Sequence, residues 1–345
     1  MICRHARRIL RQRRRLRRSN RCQRGQQYKI KCRSLVGRSE LSGFARDDSA
    51  MNGGNRAKNL RRARYIVPLR RRAVAEIRIN GYATYYEDDD FTAPWAPRQT
   101  ILIQHGFGRN SQFWRHWVPM LAGDYRVIRR DLRGHGGSGD PGEAYPWSFD
   151  GLVKDLAGFC DALDLRDVHL LGESTGGMLA VGFAATHPAR LRSLILCGTP
   201  TTIGPEQQKF LALGHASWQA ALTELGAEGW ARKLLSQPGT APRGNEARTE
   251  WSIQQFARAK TESLVGYSRV VSTTDVAPLL AEVRAPALVL APRTSAATPM
   301  AESERIAAAL PRADLVRIAG EGHEIYIDRP EECVSALNSF LWQFR

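Results

Sequence analysis

Val168-His-Leu-Leu-Gly-Glu-Ser174-Thr-Gly-Gly-Met-Leu-Ala-Val-Gly-Phe-Ala-Ala-Thr186 is the stretch on which the rest of the chain turns. Val168–Leu171 is a short apolar run that suits a buried strand, and Gly176–Thr186 reads as a helix. Between them Gly172-Glu173-Ser174-Thr175-Gly176 matches G-x-S-x-G, and another glycine follows at 177. A serine at such a strand-to-helix turn sits on a strained backbone. Small residues two before and two after it let the turn close and leave the hydroxyl exposed. The helix that begins there points its positive end at an oxyanion forming in the same place. G-x-S-x-G alone is a weak signal, because glycine and serine are common. The strand on one side and the helix on the other make Ser174 the expected nucleophile.

Outward from this turn the pattern repeats. Upstream, Val74–Ile79 and Tyr82–Tyr86 are joined by Asn80-Gly81, a strong hairpin signal. Thr100–Gln104 is a buried-strand run that exits into His105-Gly106-Phe107-Gly108. Ser111–Leu121 looks helical. Tyr125–Arg130 is a strand leading into the glycine-rich loop Asp131–Gly139, and Phe149–Leu163 has helical spacing. Downstream, Leu191–Cys197, Ala287–Ala291 and Leu315–Ile318 read as strands, and Ala301–Leu310 and Glu331–Phe344 as helices. Strands alternating with helices predict an α/β fold with a mostly parallel central sheet flanked by helices. Residues 201–275 break the alternation. They hold helical patterns and no convincing strand, with Trp218, Trp230, Trp251, Phe256 and Tyr267 spread through them. An insertion of this kind predicts a helical cap over a site.

The other parts of an acyl-transfer site follow in order. In a fold of this kind the loop after the Thr100–Gln104 strand supplies one backbone N–H of the oxyanion hole, here that of Phe107. The residue after the nucleophile, Thr175, supplies the second. His323, in Gly320-Glu-Gly-His, follows the last strand and is the expected general base. A surface-loop histidine is the plainer alternative, and the order Ser…His weighs against it.

Taken together, the stretches QHGFG, DLRGHGGSG, LLGESTGG, LILCGT, APALVLA, TP and GEGHEIYIDRPEE resemble the α/β-hydrolase superfamily over residues 74–345. The nearest branch contains 3-oxoadipate enol-lactonases, C–C hydrolases and cofactor-free haloperoxidases. The resemblance implies the α/β-hydrolase fold, makes His135 a structural residue of its loop, and implies neither metal nor cofactor. It implies a hydrolase acting on a small-molecule ester or lactone through an acyl-enzyme on Ser174. The alternatives are C–C bond hydrolysis of a β-diketone-like substrate and a non-catalytic member that binds a small ligand. A serine nucleophile argues against dehalogenase and epoxide hydrolase chemistry, where relatives use Asp.

One departure concerns the triad acid. The family places it in a loop that here reads Ala291-Pro-Arg-Thr-Ser295-Ala-Ala-Thr-Pro299, and the acid slot holds Ser295. The other position used in the family, Cys197-Gly-Thr199-Pro-Thr-Thr, is also empty. Glu321 and Glu324 flank His323, but residues so close in sequence rarely reach the far ring nitrogen. The acid is left unassigned.

Composition bounds the remaining questions. The chain has 345 residues and a formal charge of +17. Residues 1–73 carry 21 Arg and 3 Lys against Glu40, Asp47 and Asp48, a net of +21, which leaves −4 for residues 74–345. The working domain therefore has no footprint for nucleic acid. The basic stretch, without periodicity, is expected to be a disordered extension or the product of an upstream start, with Met51 a possible later one. Six cysteines without a C-x-x-C pair suit the cytoplasm and argue against disulfides or a zinc site. No apolar run reaches the ~20 residues of a membrane span. Oligomeric state is not legible.

Overall fold

Alternate residues of a strand go to opposite faces of its sheet, and in the central strands of this chain both sets are apolar. The computed structural model describes residues 73–142, 145–240 and 244–345. Leu102, Ile128, Leu170, Leu194, Leu196 and Val289 join one buried cluster. Their neighbours Ile101, Ile103, Val127, Leu171, Ile195, Leu288 and Leu290 join another. Burial on both faces is what a parallel sheet covered by helices requires.

The strands are β1 (Ala73–Ile79), β2 (Tyr82–Asp89), β3 (Gln99–Gln104), β4 (Tyr125–Arg130), β5 (Val168–Glu173), β6 (Leu191–Cys197), β7 (Ala287–Thr294) and β8 (Ala313–Glu321). They form one sheet in the order β1-β2-β4-β3-β5-β6-β7-β8. The β1–β2 hairpin turns at Asn80-Gly81, and β2 also pairs antiparallel with β4. All pairs from β4 to β8 are parallel.

Helix α1 (Phe149–Ala162) starts at Ser148, whose Oγ accepts the N–H of Gly151, a cap of about 1 kcal/mol. It buries Leu152, Leu156, Phe159 and Cys160 in the first cluster beside α2 (Thr175–Thr186). Among the described residues four α-helices stand between β6 and β7: α3 (Pro205–Leu211), α4 (Trp218–Leu235), α5 (Glu246–Phe256) and α6 (Thr261–Thr273). Helix α4 is interrupted at Gly226, whose φ of 68° is open to glycine at little cost. Thr202 and Asp275 pair in an isolated antiparallel bridge, and Val276 N–H donates to the Thr201 carbonyl at 3.1 Å. The insertion thus leaves and rejoins the sheet at one place. Helix α7 (Met300–Ala309) contributes Ile306 to the first cluster, and α8 (Pro330–Leu341) contributes Cys333, Val334 and Leu337 to the second.

Several elements differ from expectation, β2 and β8 by running longer than their apolar runs, and two others more instructively. Ser111–Leu121 is not one helix but a 3₁₀ segment, Ser111–Trp117, followed by a single α turn, Val118–Leu121. The threefold repeat of a 3₁₀ helix brings residues three apart into line. Trp114 and Trp117 meet edge to face in this way, with ring centroids 4.9 Å apart, both fully buried. β7 runs three residues past Ala291, and its pairing with β8 shifts between Pro292 and Thr294. A proline cannot donate to the ladder, so a bulge is where one is tolerated.

The basic extension, Met51, Cys3, Cys22 and Cys32 lie outside the described residues. Cys160, Cys197 and Cys333 are free and buried. Among the described residues no helix is long and apolar enough to cross a membrane.

Candidate active site

The turn from β5 to α2 places Ser174 at φ 51° and ψ −127°, a conformation costing of order 1–3 kcal/mol outside glycine. Close packing enforces it. A Cβ on Gly172 would lie 2.6 Å from Gly177 Cα, and one on Gly176 would lie 2.3 Å from the His105 carbonyl oxygen. Both glycines let the backbones meet. Thr175 is the first residue of α2, so its amide has no acceptor inside the helix.

The His105–Gly108 loop leaves β3 beside this turn. His105 Nε2 accepts the Leu132 N–H at 2.8 Å, so the proton sits on Nδ1, which donates to the Gly106 carbonyl at 2.8 Å. Burial holds this ring neutral, its pKa well below the ordinary value. One imidazole thus ties the start of this loop to the glycine-rich loop after β4. His135 is also buried and neutral; its Nδ1 faces the Arg133 carbonyl at 2.9 Å, and it packs on His105 as part of the loop scaffold.

Ser174, His323, Phe107 and Thr175 line one cavity of about 80 Å³, small beside the about 300 Å³ of typical ligand pockets. Ile203, Leu211, Trp218, Trp230, Leu234 and Phe256 supply its apolar wall from the cap side. The Phe107 ring is enclosed by Trp218 and Trp230 of α4, Phe256 of α5 and Tyr267 of α6, with centroids 4.5 to 6.1 Å away. The Tyr267 hydroxyl donates to Thr175 Oγ1 at 3.0 Å. His323 is tied to the cap as well, its N–H donating to the Thr240 carbonyl at 3.2 Å.

Burial, and then the charge of Arg109, lower the His323 pKa to about 4, so the ring is a free base at neutral pH. Its Nδ1 faces two hydroxyls, Ser295 Oγ at 3.4 Å and Thr298 Oγ1 at 3.3 Å. Ser295 Oγ also accepts the amides of Ala297 and Thr298. The loop after β6 brings no carboxylate: Thr199 packs against Gly177. Glu321 is exposed. Glu324 Oε1 lies 2.7 Å from Arg109 Nη2, without the alignment of a hydrogen bond.

Three further features shape the site. Glu173, the variable residue of G-x-S-x-G, turns inward; its Oε2 accepts the Gly106 N–H at 2.8 Å and its Oε1 stands 3.8 Å from His323 Nε2. Burial pushes its carboxyl up to about 7, against the pull of Arg109 and the Gly106 amide. Arg109 is buried in the same wall; desolvation works against its charge, but Glu324, Tyr326 and Glu173 together hold it above the ordinary range. Thr298 completes the hydroxyl pair.

A sheet with one antiparallel strand near its edge, a strained serine turn after β5 and a histidine after β8 define the α/β-hydrolase class. A family model of the α/β hydrolase fold matches residues 99–330, and the chain belongs to that family of hydrolases. It is 28% identical to the protein named carbamate hydrolase RutD of Caulobacter segnis, over 72% of this chain and 93% of the relative. A poly(3-hydroxyalkanoate) depolymerase of Ectopseudomonas oleovorans is 29% identical over 73% of this chain and 88% of its own. The solved structure of an enol-lactonase from Burkholderia xenovorans LB400 shares the fold with a TM-score of 0.68 at 24% identity, covering 78% of this chain and 100% of that one.

Proposed function

We propose that the chain hydrolyses a small carboxylic ester or lactone through an acyl-enzyme on Ser174. The observation that carries this reading is the meeting of the strained serine and a neutral, partly buried histidine in one apolar cavity. Ser174 Oγ attacks the carbonyl carbon while His323 Nε2 takes its proton. The amides of Phe107 and Thr175 hold the resulting oxyanion, a contribution of about 3 kcal/mol per donor in comparable sites. Collapse expels the alcohol, which leaves with the proton from His323. Water then attacks the acyl-enzyme, its proton passing by way of His323 to Ser174. The relatives' named substrates, a carbamate and a polyester, both present a carbonyl to such a nucleophile. The apolar wall favours a short hydrocarbon acyl group. The buried free thiols suit a reducing cytosol.

A fluorophosphonate should label the wild-type chain and leave Ser174→Ala unlabelled. The same substitution should lower turnover of p-nitrophenyl esters and lactones by about five orders of magnitude or more. Labelling of Ser174→Ala at the wild-type rate would sink the assignment, and a wild-type chain that takes no label would favour a ligand-binding member of the fold.

A further inference from the structure

An imidazole that accepts a proton in mid-reaction is stabilised by a negative group near it, because the oxyanion hole steadies only the negative partner of the ion pair that forms. On the Nδ1 side of His323 the groups found among the described residues are the hydroxyls of Ser295 and Thr298. The carboxylate stands on the opposite side, where Glu173 Oε1 is 3.8 Å from Nε2. We propose that Glu173, the residue immediately before the nucleophile, is the charge partner of the His323 imidazolium and stands in for the acid missing from the Nδ1 side. This rests on the reading of Ser174 and His323 as nucleophile and base.

Coulombic attraction acts on the charge of the whole ring, so a carboxylate on either side lowers the energy of the protonated form. What differs is orientation: a partner at Nδ1 also fixes the ring, and here the two hydroxyls do that work. Glu173 is held in place by the Gly106 N–H, is 2% exposed, and lines the cavity. The groups that face it or act on its charge are Arg109, His323, Glu324 and Tyr326, Tyr267 from α6 and Cys197 from β6. When Ser174 gives its proton to Nε2, the new positive charge lies beside the Glu173 carboxylate. When the alcohol leaves, the proton goes with it and the ring is neutral again; Glu173 neither gains nor loses a proton in the cycle.

The same position gives the proposal a signature. The carboxyl is pushed up to about 7 by burial, so the partner is charged only as pH rises through neutrality. His323 itself titrates near 4. Acylation should therefore climb in two limbs, one near 4 for the base and one near 7 for the partner.

A purely structural Glu173 would serve only to hold the His105–Gly108 loop through Gly106, and glutamine would hold it equally well, since an amide oxygen accepts the same bond. The experiment is the burst rate of p-nitrophenol release from p-nitrophenyl acetate, from about pH 4 to about pH 9, for wild type, Glu173→Gln and Glu173→Asp, with Ser174→Ala as blank. Glu173→Gln should acylate at least about tenfold more slowly at pH 8 with KM little changed, and should lose the limb near 7. Glu173→Asp should keep a neutral-pH limb. A Glu173→Gln burst at the wild-type rate, or a limb near 7 that survives in it, overturns the proposal while a labelled Ser174 still upholds the hydrolase reading. A wild-type chain that shows no burst overturns both. Should the glutamine chain not fold, the wild-type profile decides: the absence of a limb near 7 refutes the role.

Discussion

The turn after β5 and the loop after β7 both bear on His323, and they are held by different means. The first is fixed by backbone. Ser174 keeps a positive φ because Gly172 and Gly176 bring neighbouring chains closer than any Cβ would allow. The second is fixed by side chains. Ser295 Oγ gathers the amides of Ala297 and Thr298 and faces the ring nitrogen, in a partly exposed loop. A proposed nucleophile placed by backbone tolerates almost no change nearby. The partner of the proposed base, placed by one side chain, is open to replacement, and the charge can come from elsewhere in the site.

That contrast can be broken at its rigid end. Gly176→Ala would put a methyl group 2.3 Å from the His105 carbonyl, and backbone cannot step aside cheaply. The expected result is a loss of several kcal/mol of stability and at least about a hundredfold loss of kcat/KM from misplacing the turn by an ångström. A thermal melt and p-nitrophenyl ester kinetics on the same preparation check it; near-wild-type values for both would show the turn to be softer than its contacts imply.

The next effect concerns the charge held between the two regions. A carboxyl raised from 4.5 to about 7 in the folded chain binds its proton more tightly there than when unfolded. The stability it lends is fully present below its unfolded pKa and is lost as pH rises through about 7. Glu173→Gln should therefore melt higher than wild type at pH 8, by a margin on the order of 3 kcal/mol at most, and close to wild type at pH 4. Equal melting temperatures at both ends of that range would mean that the carboxylate is fully compensated by Arg109.

The smallest effect tests the adaptable end. Ser295→Asp keeps acceptors for the two amides and adds a carboxylate on the Nδ1 side. It should raise kcat/KM on an activated ester about tenfold, near 1.4 kcal/mol of barrier. An unchanged or lower rate would show that the charge on the Nε2 side already suffices and that a second one only repels it.

The same division explains what the sequence discloses. Glycine spacing is local, so Ser174 and the strand–turn–helix around it stand out in residues 168–186. Ser295 stands out because a strand and its following loop can be followed to the place where a carboxylate belongs. Arg109, Glu173 and Glu324 come from the ends of β3, β5 and β8, and only the sheet order brings them together. Glu173 in particular occupies a position that the G-x-S-x-G pattern leaves free. The segment Ser111–Trp117 misleads for another reason: a 3₁₀ repeat and an α repeat place aromatic residues in nearly the same pattern, and only the packing of Trp114 on Trp117 distinguishes them.

The aromatic enclosure of Phe107 bears on timing. The two residues whose amides are proposed to hold the oxyanion are both gripped by the cap, Phe107 by its ring and Thr175 through the Tyr267 hydroxyl. Were the cap helices to part to admit a substrate, both grips would loosen together, and the amides would regain their aim only on closure. The slowest event in a cycle could then be the microsecond-to-millisecond travel of α4 and α6 rather than bond-making. Distant changes in the cap would then register in kcat while leaving the affinity for substrate nearly alone.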